Sequence, residues 1–154
     1  MSGLEIREDD LGGEATRALV ALHLSGMHAN SPPGHVFALD LSGLTGPEVT
    51  VWTAWRGGAV AGMAPLKALG GGAGEIKSMR THPDHLRRGV AAALLDHIVG
   101  EARRRGYARL SLETGRGEAF EAALALYCSR GFANGGAFGD YADSDFNQFM
   151  HLEL

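Results

Sequence analysis

Arg87-Arg88-Gly89-Val90-Ala91-Ala92 is the stretch of this 154-residue chain whose residue types and order point to a ligand. It immediately precedes an apolar stripe of helical spacing, so it sets two arginines beside a helix N-terminus. A helix start offers unpaired backbone N–H groups and partial positive charge. Gly89 and Ala91 lack bulk, which lets an anion approach the main chain. Guanidinium groups match phosphate oxygens. The chemistry implied is the cradling of a phosphate or pyrophosphate, and the plain alternative is a helix start with two solvated arginines. A P-loop is rejected, because Gly70-Gly71-Gly72-Ala73-Gly74 lacks the following Lys-Ser/Thr. His82 and His85 stand three apart in a Pro-containing loop, with His97 on the next helix, and lack further ligands, so no metal is expected. Cys128 has no neighbouring His to activate it and reads as a small buried side chain.

The elements that must position this loop follow from periodicity. Leu4 to Arg7 alternates apolar and charged residues and starts a short strand. Ala15, Leu19 and Leu22 recur at helical spacing, which predicts a first helix from Gly13 to about Met27, ended by Asn30-Ser31-Pro32-Pro33-Gly34. The segment from His35 to Leu44 has room for one more short helix. Glu48 to Trp55 and Ala59 to Ala68 flank Gly57-Gly58 and read as a hairpin. Trp52 and Trp55 fall on opposite faces, one for the core and one for a partner or a cleft. Gly70 to Gly74 is expected to be a flexible connection, and Glu75 to Thr81 a third strand.

Past His82-Pro83-Asp84-His85 the period changes. Val90, Leu94, Leu95, Ile98, Val99 and Ala102 form a stripe at 3.6 spacing, closed by Arg103 to Arg105 and Gly106. Ala108 to Thr114 is a further strand, and Phe120, Leu124, Tyr127 and Cys128 mark a helix closed by Gly131. Candidate strands lie around Ala133 to Phe138 and Gln148 to Leu154. The order predicts an α/β (α+β) domain spanning residues 1–154, with a mixed central sheet of about six to seven strands flanked by about four helices.

Composition narrows the partners. Fourteen Lys and Arg against 18 Asp and Glu give a net charge of −4, which argues against general nucleic-acid coating. An acidic N-terminus without an apolar run predicts no secretory signal, and no stretch reaches the length needed to span a bilayer. With one cysteine, no intrachain disulfide forms. These features predict a reduced, cytoplasmic protein with no membrane partner.

The strand, loop and helix around Leu86-Arg87-Arg88-Gly89-Val90-Ala91 resemble the GCN5-related N-acetyltransferase superfamily, whose loop reads Gln/Arg-x-x-Gly-x-Gly/Ala. Leu86 departs from the usual Gln or Arg, and the other positions match. His82-Pro83 resembles the family's residue-Pro pair before the loop. Leu126-Tyr127-Cys128-Ser129-Arg130-Gly131-Phe132 is similar to its Leu-Tyr-x-x-x-Gly-Phe helix. The matches run over nearly the whole chain and look like a small bacterial member with an unassigned acceptor.

The resemblance implies acetyl-CoA as co-substrate, with transfer to a primary amine of a small molecule or peptide. It implies that the parallel strands carrying Met79 and Ser111 splay to admit the pantetheine arm. Met79, Arg80 and Thr81 would then pair with that arm through main-chain groups, and Arg87, Arg88, Gly89, Val90, Ala91 and Ala92 would hold the pyrophosphate. An alkylammonium has a pKa around 10.4, so a base is needed near neutral pH. Glu75 and Glu113 occupy the base positions of two branches of the family, and the choice between them stays open. Tyr127 matches the usual general acid; the alternative is a buried tyrosine packed beside Phe120 and Leu124. The acceptor is expected near the first helix, by His28, Asn30, Ser31 and His35, with the tail loop of Asp140, Asp143, Asp145 and Asn147 nearby. Homodimers are common in the family. The competing reading is a catalytically silent acyl-CoA sensor or interaction domain.

Overall fold

The computed structural model describes residues 3–32, 41–77 and 79–154. One mixed sheet runs through them. Strands β1 (Leu4–Asp9), β2 (Val49–Arg56), β3 (Ala59–Gly70) and β4 (Ala73–Ile76) form an antiparallel meander. β5 (Arg80–Thr81) pairs with β3, off the main path. β6 (Arg109–Gly115) lies parallel to β4, and β8 (Asn147–Glu153) and β7 (Ala133–Gly135) complete the order β1-β2-β3-β4-β6-β8-β7. Helices α1 (Glu14–Asn30), α2 (Leu41–Leu44), α3 (Val90–Arg104) and α4 (Glu121–Ser129) flank it. The mixed α/β architecture expected from the element order is the one observed. The helix expected between His35 and Leu44 is seen only as α2, and the rest of that segment lies outside the described residues.

Alternation on β2 divides the core. Trp52 and Ala54 join the cluster beneath α3, and Val51 joins Leu19, Val20 and Met63 beneath α1. Each fully buried aliphatic side chain contributes about 1.5–3 kcal/mol. All six residues of the α3 stripe are buried, as their spacing predicted. Asp9 fixes the start of α1 over the sheet: its carboxylate accepts from Thr16 Oγ1 at 3.1 Å and from Thr53 Oγ1 at 2.8 Å. Helix α1 has no side-chain cap at Gly13, so this tie between β1, α1 and β2 does the positioning.

Three expectations change. Gly70 to Gly74 is no loose connection; Gly71 and Gly72, both at positive φ, make a tight hairpin turn with Gly70 opposite Ala73. Only such a turn closes two antiparallel neighbours with so few residues. The strand expected over Glu75 to Thr81 breaks after Ile76 and resumes at Arg80. Cys128 is exposed, because α4 turns Tyr127 inward and the next residue lies about 100° round the helix.

Gly62 on β3 is a point of close approach to α3 and β5. A Cβ there would lie 2.8 Å from Val90 Cγ1 and 2.9 Å from the Arg80 carbonyl oxygen. Gly62→Ala is expected to destabilise the fold by about 1–3 kcal/mol, the range for overpacking, read as a lower urea midpoint at unchanged slope.

Candidate active site

Parallel pairing of β4 with β6 ends at Glu75 opposite Ser111. Beyond that point β6 keeps its hydrogen bonds to β8 as far as Gly115, and the chain after β4 swings toward β3. The two strands therefore splay. A cleft of about 220 Å³ fills the gap, lined by β4, β5, β6, α1, α4 and the loop before β8. Among the described residues β5 is paired within the sheet on its β3 side only, which leaves main-chain groups of Arg80 and Thr81 on the side toward β6.

Two carboxylates meet in this cleft. Glu75 is buried and its Oε2 accepts from the Tyr141 hydroxyl at 2.6 Å, with Lys77 Nζ at 3.3 Å. Lys77 Nζ also donates to the Tyr141 oxygen at 2.7 Å, which closes a three-membered polar cluster. Burial, the negative charge of Glu75 and their hydrogen bond hold the Tyr141 phenol in its protonated form. Glu113, half-buried on β6, has its carboxyl pushed up to about 7. Burial is the main cause; Glu75 pushes the same way, while Lys77 and a hydrogen bond with Asn147 pull it down.

Tyr127 projects from α4 into the same cleft. Burial pushes its hydroxyl up to about 12, so it keeps its proton at any working pH. Its ring packs on Phe132 at 5.8 Å between centroids, whereas Phe120 packs on Phe146. At the neighbouring α3 N-terminus, Arg87, Arg88 and Gly89 are exposed, and both Arg87 and Gly89 have positive φ. Gly89 has open space where a Cβ would sit, and Ala91 and Ala92 follow in the first turn. The exposed amides and guanidinium groups suit a diphosphate, and the open β5 edge suits an extended amide-containing arm. Leu86 is exposed and adds no polar group. Among the described residues no cluster of three or more metal-ligating side chains forms, and no helix is long and apolar enough to cross a membrane.

The acceptor-side expectations are redrawn. Asn30 lines the cleft, but His28 and Ser31 do not, and His35 lies outside the described residues. Asp140, Asp143 and Asp145 stay out of it, while Tyr141 between them enters. Asn147 is buried at the start of β8, holding Ser144 at 2.6 Å. Trp55 does not reach the cleft; it lies under the Arg7 guanidinium at the β1 side of the sheet. Sequence reasoning missed His23, Lys77, Arg80 as a side chain, and Tyr141. Lys77 shares period-2 spacing with Glu75 and was within reach of the pattern, whereas Tyr141 sits in a loop with no periodicity.

The Glu113 assignment has a direct test. Its carboxyl ¹³C resonance is expected to titrate at about 7, and Lys77→Met should move that midpoint upward. The folded value exceeds the unfolded 4.5, so the protonated form's stabilisation is complete below about 4.5 and is lost as pH rises through about 7. Relative to wild type, Glu113→Gln should flatten the fall in unfolding free energy over that window.

Comparison with known proteins places these features in context. A family model described as Acetyltransferase (GNAT) family matches residues 17–132. The chain is 48% identical over 151 residues to an uncharacterised N-acetyltransferase of Bacillus subtilis, YsnE, covering 98% of this chain and 100% of that protein. It is 47% identical over 149 residues to the uncharacterised N-acetyltransferase YedL of Escherichia coli, covering 97% and 94%. A solved structure from Klebsiella pneumoniae, provisionally assigned as an acyl-CoA N-acyltransferase, superposes with a TM-score of 0.84 at 26% identity, covering 100% of this chain and 99% of that one.

Proposed function

The chain belongs to the acetyltransferase (GNAT) family and is an N-acetyltransferase; from that premise we propose that it moves the acetyl group of acetyl-CoA to a primary amine of a small molecule or peptide held in the β4–β6 cleft. The observation that carries this reading is that Glu113 and Tyr127 both line the cleft where the two parallel strands part. We further assign residues 1–154 to a single catalytic domain acting in the cytoplasm.

Acetyl-CoA supplies an acyl thioester, so that a C–N bond forms as the C–S bond breaks. Arg87, Arg88 and the amides of Gly89 to Ala92 hold its pyrophosphate. Main-chain groups of Met79, Arg80 and Thr81 pair with its pantetheine arm, and an N–H of that segment polarises the thioester carbonyl. Glu113 is the base: with a pKa near 7 its carboxylate form is available at neutral pH and remains basic enough to take the ammonium proton, directly or through water. Glu75 is less suited, because its Oε2 is engaged by Tyr141 and Lys77. Its part is to position that cluster and, through its charge, to raise the Glu113 carboxyl. Tyr127 Oη carries a proton at working pH and supplies it to the leaving sulfur. No covalent enzyme intermediate is required, and exposed Cys128 lies outside the cleft lining.

Saturating acetyl-CoA at 100 times its dissociation constant should add about 2.7 kcal/mol, raising Tm by several degrees. An unchanged Tm at millimolar ligand would refute the cofactor assignment and favour the interaction-domain reading. Glu113→Gln should lower kcat/KM by about 10²–10⁴-fold. It should also remove a rise in kcat/KM through about pH 7. Tyr127→Phe should lower kcat with the acetyl-CoA KM unchanged; full turnover in that variant would remove the acid assignment.

A further inference from the structure

The part of the cleft lining supplied by α1 and β5 is cationic and polar. Arg80 lies on β5, opposite Met63 of β3, and its guanidinium crosses to α1. There it lies over Gly26: a Cβ at that position would stand 3.0 Å from Nη1 and 3.4 Å from Nη2. Gly26 is thus the notch that admits the guanidinium. One turn earlier on the same helix, His23 is only 7% exposed, and its Nδ1 is buried without a hydrogen-bond partner. Both side chains line the cleft. Among the described residues, no carboxylate lies within ion-pair distance of Arg80. The two carboxylates nearest in the site, Glu75 and Glu113, face Lys77, Tyr141 and Asn147 instead.

A partly buried guanidinium beside an unpartnered buried imidazole nitrogen is an unfinished polar arrangement, because desolvated polar groups cost free energy until they are paired. Burial and the neighbouring Arg80 charge hold the His23 ring neutral, with a pKa lowered to about 4. A neutral ring has one N–H to donate, alongside the five fixed donors of the guanidinium. The planar, bidentate partner that fits such a fork is a carboxylate. The diphosphate of the donor is held elsewhere, at the start of α3, so it does not complete this arrangement.

We propose that the acceptor is an amine that also carries a carboxylate, with the carboxylate bound by Arg80 and His23 and the amine presented to Glu113. The cleft then has two poles, a base for the ammonium end and a guanidinium for the acid end, and it selects amino acids over simple amines. This substrate class rests on the transferase reading, and the binding site itself does not.

The test uses α- and ω-amino acids, each matched with its own amide, and the full chain in wild-type and Arg80→Gln forms. In NMR titrations, run with and without CoA, the carboxylates should shift the Arg80 Nε–H and His23 ring resonances, and the amides should not. In turnover, the carboxylate member of an accepted pair should have a kcat/KM about ten- to a hundred-fold higher than its amide, the scale of a charge-assisted hydrogen-bonded pair. Arg80→Gln should abolish that discrimination, bringing kcat/KM for the carboxylate member down to that of its amide. Equal responses to acid and amide, no response to any acid, or an equal response to inorganic phosphate would each overturn the proposal. CoA release that ignores the carboxylate would sink this inference and leave the transferase standing. Arg80 resonances that follow the acids without CoA release from any amine would do the reverse.

Discussion

The parting of β4 and β6 is the constraint on which the rest of the molecule depends. Parallel strands joined by a helix crossover normally stay hydrogen-bonded along their shared length, and here the bonding stops at Glu75 and Ser111. Each strand keeps its outer partner, so the sheet loses no order outside the gap: β6 holds β8, and the chain beyond β4 returns to β3. Main-chain donors that would be costly to leave buried instead face an opening. The crossover helix α3 begins beside that opening, so a strand edge and a helix N-terminus lie together without any special loop.

Electrostatics then divides the opening. Glu75, Lys77 and Tyr141 form a closed cluster from two parts of the chain: Glu75 in β4 with Lys77 just past its end, and Tyr141 from the loop before β8. Its net effect on Glu113 is a balance of a repelling carboxylate and an attracting ammonium, with burial deciding the direction. On the α1 side the sign is reversed, since Arg80 presses the His23 ring toward neutrality. One cavity therefore holds a carboxylic acid made weaker and an imidazole made less basic, each chiefly by burial, with a neighbour of like charge pushing the same way.

Much of this was legible in the residues. The α3 stripe gave its buried face because six apolar residues at helical spacing have one way to hide. The loop from Arg87 to Ala92 was legible because few residue types permit a close approach to backbone amides. Tyr127 was found through its Leu-Tyr-x-x-x-Gly-Phe setting. The break after Ile76 was not, since Glu75 to Thr81 has the composition of a continuous strand and the interruption is a property of the neighbours. Tyr141 and His23 escaped for a related reason. Their places in the cleft come from tertiary encounters with Glu75 and Arg80, which no local period encodes. Cys128 shows the limit of residue-type reasoning, because helix phase set by Tyr127 overrode the usual burial of a thiol.

The position of β6 in the sheet has a consequence for how the protein is made. Its first neighbour, β4, precedes it in the chain, and its second, β8, is the last strand formed, at Asn147–Glu153. During synthesis the strand bearing Glu113 has one edge exposed until Asn147–Glu153 has left the ribosome. An open edge at the centre of a sheet is a template for foreign strands as well as for its own. The nascent chain is thus open to mispairing along β6, and the closing of β8 against it ends that exposure and sets Phe149 opposite Glu113.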